Sequence, residues 1–265
     1  MDLPPARLFV FMASNQRVAV ILRRGPSRHW RMIKWDLRKD ALDYGQWIKG
    51  QVNPLACDIS PDGLYFSYLL NKRQKINHKD YTYMTVLCRP PYFTASILWP
   101  FEDLHSVYGG IFDKDKSFGI LGDYITRSAV NFRIHQDVFP EFERKKTSLP
   151  TVYRKLCNRW QWENYDKSTK VMFKKQDKYS LREEKLSRDA YRYQLYKADE
   201  SILTLEKAQW ADFDSTEKAD LLFAIDGCLY RLKRNHFELF PTQGLACATR
   251  IADLSPMTFE AIPGR

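Results

Sequence analysis

The chain has 265 residues, of which 44% are hydrophobic, 14% aromatic and 28% charged, and its formal net charge is +10. This balance excludes an intrinsically disordered chain, because enough apolar side chains are present to form a core. The positive charge favours anionic partners, and no apolar run reaches the roughly 18 residues that a membrane-spanning helix needs. We therefore expect a folded protein of one domain, residues 1–265, with no membrane partner.

Cysteine usage and the amino terminus indicate the compartment. The chain has five widely separated cysteines: Cys57, Cys88, Cys157, Cys228 and Cys247. An odd number of scattered cysteines without a Cys-x-x-Cys pair is typical of small buried side chains in a reducing compartment. Residues 1–5 also lack the basic start and the apolar core of a signal peptide. A cytoplasmic location is therefore expected.

The elements in chain order are mostly short apolar strands joined by turns. Residues 8–12 and 18–22 are apolar and flank a polar turn centred on residue 14. A second turn, Ser60-Pro61-Asp62-Gly63, separates two longer apolar runs. The proline presets φ near about −65°, and the glycine tolerates the positive φ that such turns need. Both patterns predict β-hairpins.

Three further patterns of the same kind follow along the chain. The five polar turns are centred on residues 14, 61, 114, 166 and 215, and consecutive centres are 47 to 53 residues apart. A propeller blade of four short strands takes about 40 to 50 residues. The spacing therefore predicts an all-β fold, a β-propeller of five blades of antiparallel strands.

Two strand candidates remain at the carboxyl end, within residues 248–254 and 257–262. If one of them pairs with an amino-terminal strand, the ring of blades closes and loses its exposed sheet edges. We expect this closure. The alternative is a carboxy-terminal tail that lies on the surface.

Two segments resemble blades of known propellers. Residues 58–63 match a blade's first turn, and residues 221–232 place an apolar strand, Asp226-Gly227 and Leu-Tyr-Arg-Leu in the order of its second and third strands. The chain thus resembles β-propellers of the WD40-like and TolB-like families, although the Gly-His and Trp-Asp signature of true WD40 proteins is absent. The resemblance implies a rigid ring whose loops bind other molecules.

Residues 177–189 interrupt the repeat in the fourth unit. Ser180 and Glu183 have the spacing of a capping box, which predicts a short inserted helix. A charged excursion between two strands explains the segment equally well. The sequence leaves both alternatives open.

Motifs for catalysis or metal binding are few. Asp113, Asp115 and Ser117 imitate the start of a calcium loop, but the glycine and the glutamate that should follow are missing. The histidines have no partner four residues away, and no P-loop, Rossmann glycine pattern or Gly-x-Ser-x-Gly elbow is present. We expect no metal, no cofactor and no catalytic residue, and Asp58 and Asp62 are interpreted as structural.

Basic residues are concentrated in residues 144–197, which is the candidate electrostatic patch. Its candidate binding residues are Lys174, Lys175, Arg182, Arg188 and Arg192. Next to aromatic side chains they could contact phosphates and stack on bases. The alternative is a solvated blade face whose aromatic residues point inward, as the alternation in residues 191–193 indicates.

Three functions follow as hypotheses. The favoured one is a non-enzymatic scaffold for protein interactions within a larger assembly, with another protein as the partner. The first alternative is a nucleic-acid-binding propeller that uses residues 144–197. The second is a propeller hydrolase with carboxylates in its central channel. The sequence leaves the oligomeric state open.

Overall fold

A computed structural model describes most of the chain: residues 6–25, 28–76, 78–101, 109–115, 117–120, 130–131, 162–166, 171–186, 191–215 and 219–263. Nearly all regular elements in these ranges are β-strands, and the predicted all-β class is confirmed. The chain forms two compact units. Unit 1 comprises Met1–Phe9 and Cys157–Thr258, and unit 2 comprises Val10–Leu156 and Phe259–Arg265. A single-domain organisation stays a prediction.

The first sheet lies in unit 2, apart from residues 7–9. Its strands, in spatial order, are β1 (Arg7–Met12), β2 (Val18–Arg24), β3 (His29–Asp36) and β4 (Ala41–Lys49). β3 pairs in an antiparallel manner with β2 on one side and with β4 on the other. Residues 19–22 of β2 are fully buried on both faces, so this sheet is covered on both sides.

The second sheet of unit 2 follows directly. Its strands are β5 (Gln51–Ile59), β6 (Phe66–Ile76), β7 (Lys79–Cys88) and β8 (Ala95–Phe101). The next hairpin pairs β9 (Gly110–Lys114) with β10 (Ser117–Ile120), and the two residues of β11 (Val130–Asn131) pair with β8. Trp99, Phe112 and Phe118 form a shared buried core between this hairpin and the second sheet.

Two acidic side chains of the β5–β6 region stabilise the backbone around them through hydrogen bonds. Asp58 is fully buried, and its carboxylate accepts the backbone N–H of Ile59 and that of Phe112, each at 2.8 Å. In the following turn Gly63 has a φ of +71°, and Asp62 accepts a hydrogen bond from the Ser60 hydroxyl at 2.6 Å. Asp58 therefore ties β5 to β9, and Asp62 shapes the turn.

Unit 1 contains a five-stranded sheet. Its strands, in spatial order, are β12 (Glu163–Asp166), β13 (Val171–Gln176), β14 (Tyr179–Lys185), β15 (Tyr191–Lys197) and β16 (Glu200–Ala208). The short helix predicted as one alternative for residues 177–189 is wrong, because Tyr179–Lys185 form the strand β14. Tyr179 and Leu181 are buried with the period of two that is typical of a strand. Ser180 takes a place in the ladder opposite Lys175 and Tyr196. Residues 187–190 lie outside the described residues.

The last sheet of unit 1 has four strands. They are β17 (Trp210–Phe213), β18 (Leu221–Ile225), β19 (Cys228–Leu232) and β20 (Thr249–Asp253), and the helix α1 (Phe240–Gln243) lies between β19 and β20. Leu181, Leu205, Phe213 and Phe223 belong to one core cluster, so the two sheets of unit 1 share their core. Ala6 also belongs to this unit, since its carbonyl accepts a hydrogen bond from Gln209 Nε2 at 2.9 Å.

The repeat predicted from the turns corresponds to the observed strand order. Three predicted centres, residues 14, 61 and 215, lie between paired strands, namely β1 and β2, β5 and β6, and β17 and β18. The centres at 114 and 166 are the last residues of β9 and β12, which pair with β10 and β13. Residues 167–170, between β12 and β13, lie outside the described residues. The predicted centres therefore lie at or next to the turns of hairpins, and the division into five blades stays a prediction.

The predicted pairing of amino- and carboxy-terminal strands is not found among the described strands. β1 pairs with β2, and β20 pairs with β19. After β20 the Asp253 carboxylate accepts the backbone N–H of Ser255 at 2.9 Å, which turns the chain, and residues 257–262 form no strand. Within the described ranges, no helix combines the length and the apolar character needed to cross a membrane.

Candidate functional site

A row of three side chains crosses the first sheet of unit 2. Arg23 on β2 lies directly opposite Arg31 on β3, and Arg31 lies directly opposite Trp47 on β4. Directly opposite residues of antiparallel strands point to the same face of the sheet. We call Arg23, Arg31 and Trp47 the arginine–tryptophan row.

The row holds two positive charges out of water. Arg23 is 2% exposed and Arg31 is 8% exposed. Burial lowers the pKa of Arg23, and the nearby charge of Arg31 lowers it further. Burial also lowers the pKa of Arg31, whereas Glu260 and Tyr44 act in the opposite direction. Like charges directly opposite each other destabilise a sheet, so this row requires compensation from its surroundings.

Aromatic rings supply part of that compensation. The guanidinium carbons of Arg23 and Arg31 each lie 5.4 Å from the ring centroid of Trp47. Arg31 also lies 5.2 Å from the ring centroid of Tyr44. Such cation–π contacts each contribute about 0.5–2 kcal/mol, more when water is excluded. The row is thus a cationic and aromatic surface rather than a purely charged one.

The carboxy-terminal segment, residues 259–263, lies against this row. The ring of Phe259 is 5.2 Å from that of His29 and 6.0 Å from that of Trp47. The Glu260 carboxylate approaches Arg31 Nη2 at 3.7 Å. The segment has no regular secondary structure. The aromatic ring and the carboxylate of two consecutive residues, Phe259 and Glu260, therefore contact the row.

The side chain of Gln46 binds the backbone of the same segment. Its side-chain Nε2 donates to the carbonyl of Ile262 at 3.3 Å. Its Oε1 accepts hydrogen bonds from the backbone N–H and the hydroxyl of Thr94, each at 3.0 Å. The Thr94 contacts orient the Gln46 amide, and the amide then presents a donor to a peptide carbonyl.

A bulge in β4 sets these side chains in place. Gly45 and Gln46 together lie opposite Met32, because the register shifts between Arg31 and Ile33. A Cβ at Gly45 would come within 1.8 Å of the carbonyl oxygen of Pro91, so only glycine fits there. The Gly45 carbonyl accepts a hydrogen bond from Arg31 Nε at 3.2 Å. The bulge thus fixes Arg31 and turns Gln46 towards the carboxy-terminal segment.

Lys174, one of the residues expected in a basic patch, is buried. It is 8% exposed, and its Nζ donates to Asp212 Oδ1 at 2.6 Å. The same carboxylate oxygen accepts the backbone N–H of Phe213 at 2.7 Å. Lys174 is therefore part of an internal ion pair of unit 1.

The other predicted binding residues have different surroundings. Arg192 Nε donates to Glu206 Oε1 at 2.9 Å, and Arg192 lies 3.5 Å from Glu184. Arg182 donates to Gln194 at 3.1 Å. Lys175 is exposed, and Arg188 lies outside the described residues. Three of the four described residues thus contact acidic or amide side chains of unit 1.

A second carboxyl group lies near the Lys174–Asp212 pair. Glu183 accepts a hydrogen bond from the Tyr193 hydroxyl at 2.6 Å. Burial raises the pKa of Glu183, Asp212 raises it further, and the bond from Tyr193 opposes the shift. Two neighbouring carboxyl groups are a pattern that acid–base catalysis uses. Here each group is engaged by a neighbouring side chain of the unit.

Metal-binding groups are not evident in the described ranges, where no cluster of three or more His, Cys, Asp or Glu side chains could hold an ion.

Sequence reasoning missed the arginine–tryptophan row. The alternation of apolar and basic residues in 29–37 is typical of a half-exposed strand, whereas Arg31 is buried. The signal in the sequence was the presence of two arginines, Arg23 and Arg31, inside apolar strands. Whether these arginines lie opposite each other depends on how β2 and β3 are aligned, which is set by the hairpin between them.

Comparisons with known proteins assign no family. No protein family matches the chain, and no curated protein matches it. Among solved structures it is similar to an uncharacterized protein of Listeria monocytogenes EGD-e, with a TM-score of 0.33 and 8% identity over 96% of this chain and 85% of that chain. It is also similar to the GH43 BlXynB protein of Bacillus licheniformis, with a TM-score of 0.36 and 10% identity over 87% and 50%. The WD40-like or TolB-like resemblance stays a prediction.

Proposed function

We propose that the protein is a non-enzymatic interaction module, a five-bladed propeller that works within a larger cytoplasmic assembly. In this proposal the first sheet of unit 2 binds an extended segment of another protein. The observation that carries the proposal is the docking of residues 259–263 on the arginine–tryptophan row. A surface that accepts one segment without regular secondary structure has the chemistry to accept another.

Three kinds of contact support binding of a peptide. Trp47 and His29 face an aromatic ring, Arg31 faces a carboxylate, and Gln46 holds a backbone carbonyl. Peptide-binding domains combine the same elements, with backbone hydrogen bonds for affinity and side-chain contacts for specificity. The combination therefore favours an extended polypeptide as the ligand.

The contacts of the chain's own segment are weak enough to exchange. Phe259 is 56% exposed, and the Glu260 side chain is 68% exposed. An ion pair with one exposed partner contributes about 0–1 kcal/mol. A partner segment can therefore replace this one without a large energetic cost.

A crosslinking experiment tests the proposed function. Tyr44, 41% exposed and next to Arg31, is replaced by the photocrosslinker benzoylphenylalanine in the full chain, and Leu55, 70% exposed, carries it in the matched control. We expect one host protein to crosslink from position 44 and not from position 55. The crosslinked protein, identified by mass spectrometry, is then purified and titrated calorimetrically. Binding that Arg31→Gln leaves unchanged, or equal crosslinking from both positions, contradicts the proposal.

A further inference from the structure

We infer that the arginine–tryptophan row takes a partner segment in which an aromatic residue is followed by an acidic one, and that residues 259–263 are an internal competitor for the same site. This inference rests on the proposed function and adds the chemistry of the partner.

The row and the carboxy-terminal segment carry opposite charges where they meet. Arg23 and Arg31 are both buried, and the segment contributes the single carboxylate of Glu260. That carboxylate stays 3.7 Å from Arg31, beyond hydrogen-bond distance. Buried guanidinium groups are best stabilised by a bidentate carboxylate at shorter range. A partner segment with an acidic residue directly after an aromatic one therefore places a carboxylate next to Arg31, as Glu260 does.

Trp47 provides an independent indication of a ligand. Its Nε1 is buried, and among the described residues it has no hydrogen-bond partner. Buried polar groups are almost always hydrogen-bonded, because without a partner no hydrogen bond offsets the free energy of removing the group from water. The indole ring also lies 6.0 Å from the Phe259 ring and 5.4 Å from the guanidinium carbons of Arg23 and Arg31. A carbonyl or carboxylate oxygen next to a bound aromatic ring satisfies this donor.

The backbone contact distinguishes a protein segment from a nucleic acid. Gln46 Nε2 donates to the carbonyl of Ile262, three positions after Phe259. A ring, a carboxylate and a carbonyl at this spacing are the features of an extended peptide. Arginine and aromatic side chains can also bind single-stranded nucleic acid, so an oligonucleotide belongs in the test.

Covalent attachment makes the carboxy-terminal segment an effective competitor. A tethered ligand acts at an effective concentration of about a millimolar when its linker is short and flexible. A weakly docked segment therefore occupies the row until a partner binds more tightly. Weakening the segment must raise the apparent affinity of a peptide added in solution.

The test uses the full chain and a fluorescein-labelled peptide with the sequence of residues 255–263. Peptide anisotropy is measured with the wild-type chain and with the double variant Phe259→Ala and Glu260→Ala. We expect at least ~10-fold tighter binding to the double variant, because its own segment no longer competes. Equal affinity for both chains overturns the inference.

Matched variants assign the binding to the row. In the double-variant chain, Arg31→Gln is expected to abolish peptide binding. Arg24→Gln is expected to leave it unchanged, because Arg24 is the next residue of β2, points to the opposite face and lies 5.5 Å from the Trp30 ring. Equal loss in both variants, or equal binding of a peptide with lysine in place of the glutamate, overturns the inference.

Two outcomes separate this inference from the proposed function. In the first outcome, position 44 crosslinks a partner whose binding depends on Arg31, but the peptide binds both chains equally. The claim that residues 259–263 compete for the row is then wrong, and the proposed function as an interaction module is supported. If a deoxythymidine oligonucleotide displaces the peptide from the row at lower concentration than unlabelled peptide, a nucleic acid replaces the protein segment as the ligand and both are overturned.

Discussion

The ammonium group of Lys174 on β13 donates to Oδ1 of Asp212 on β17 at 2.6 Å, and both side chains are buried. The two strands belong to different sheets of unit 1. This ion pair therefore joins the two sheets through their shared core.

Removal of one partner of this pair destabilises unit 1. We expect Lys174→Ala to lower the free energy of unfolding by about 3–5 kcal/mol, because Asp212 is left buried without its counter-charge. Lys175→Ala, at the exposed neighbouring position, is expected to change it by less than about 0.5 kcal/mol. Urea denaturation followed by tryptophan fluorescence measures both. Similar losses in the two variants would show that the buried pair is not important.

Glu183 makes stability depend on pH. Its pKa is raised above 4.5 in the folded chain, so the folded state binds more protons than the unfolded state as pH rises through that value. Its contribution to stability is therefore complete below about pH 4.5 and is lost as pH rises through the folded pKa. We expect the stability of Glu183→Gln relative to wild type to increase from pH 4 to pH 7. Glu206→Gln is the exposed control, and a difference for Glu183→Gln that does not change with pH contradicts this assignment.

Asp58 tests the link between the second sheet and the β9–β10 hairpin. In Asp58→Asn the amide nitrogen replaces one carboxylate oxygen, so one of the two backbone N–H donors at Ile59 and Phe112 loses its acceptor. We expect a loss of about 1–3 kcal/mol in the free energy of unfolding. Asp43→Asn, at an exposed position of β4, is the control. Equal midpoints of chemical denaturation for the two variants would disprove the role of Asp58.

The nucleic-acid alternative has a test in the five-stranded sheet of unit 1. Arg192 is engaged by Glu184 and Glu206, so we expect Lys175→Glu combined with Arg192→Glu to leave the affinity for a labelled DNA duplex within about twofold. The measurement is anisotropy at several salt concentrations. A salt dependence that weakens by about two phosphate contacts in the double variant would instead support this sheet as a DNA-binding face.

Local patterns predicted the strands and turns well. Ser60 to Gly63 carries its own turn chemistry, and short apolar runs on both sides of a turn indicate strands without knowledge of their partners. The capping-box spacing of Ser180 and Glu183 misled because it is also compatible with a strand. Tyr179 and Leu181 pack into the core of unit 1, and this packing outweighs a helix cap.

The candidate site depends on information that no local pattern contains. Arg23, Arg31 and Trp47 form a row only because the β2–β3 register and the bulge in β4 bring them opposite one another. Glu260 and Ile262 reach the row from the far end of the chain. Sequence alone indicates a basic residue in a strand but not whether it faces water or a ring.

The hydrogen bond from Gln209 to the carbonyl of Ala6 spans 203 residues of sequence. A ribosome adds roughly 5–20 residues per second, so Ala6 waits about 10–40 s for its partner to be synthesised. Hairpins such as β2–β3 and β6–β7 can form as soon as they emerge, because their strands are consecutive. Unit 1 is therefore completed late in translation, and during that delay its amino-terminal residues are exposed to chaperones and proteases.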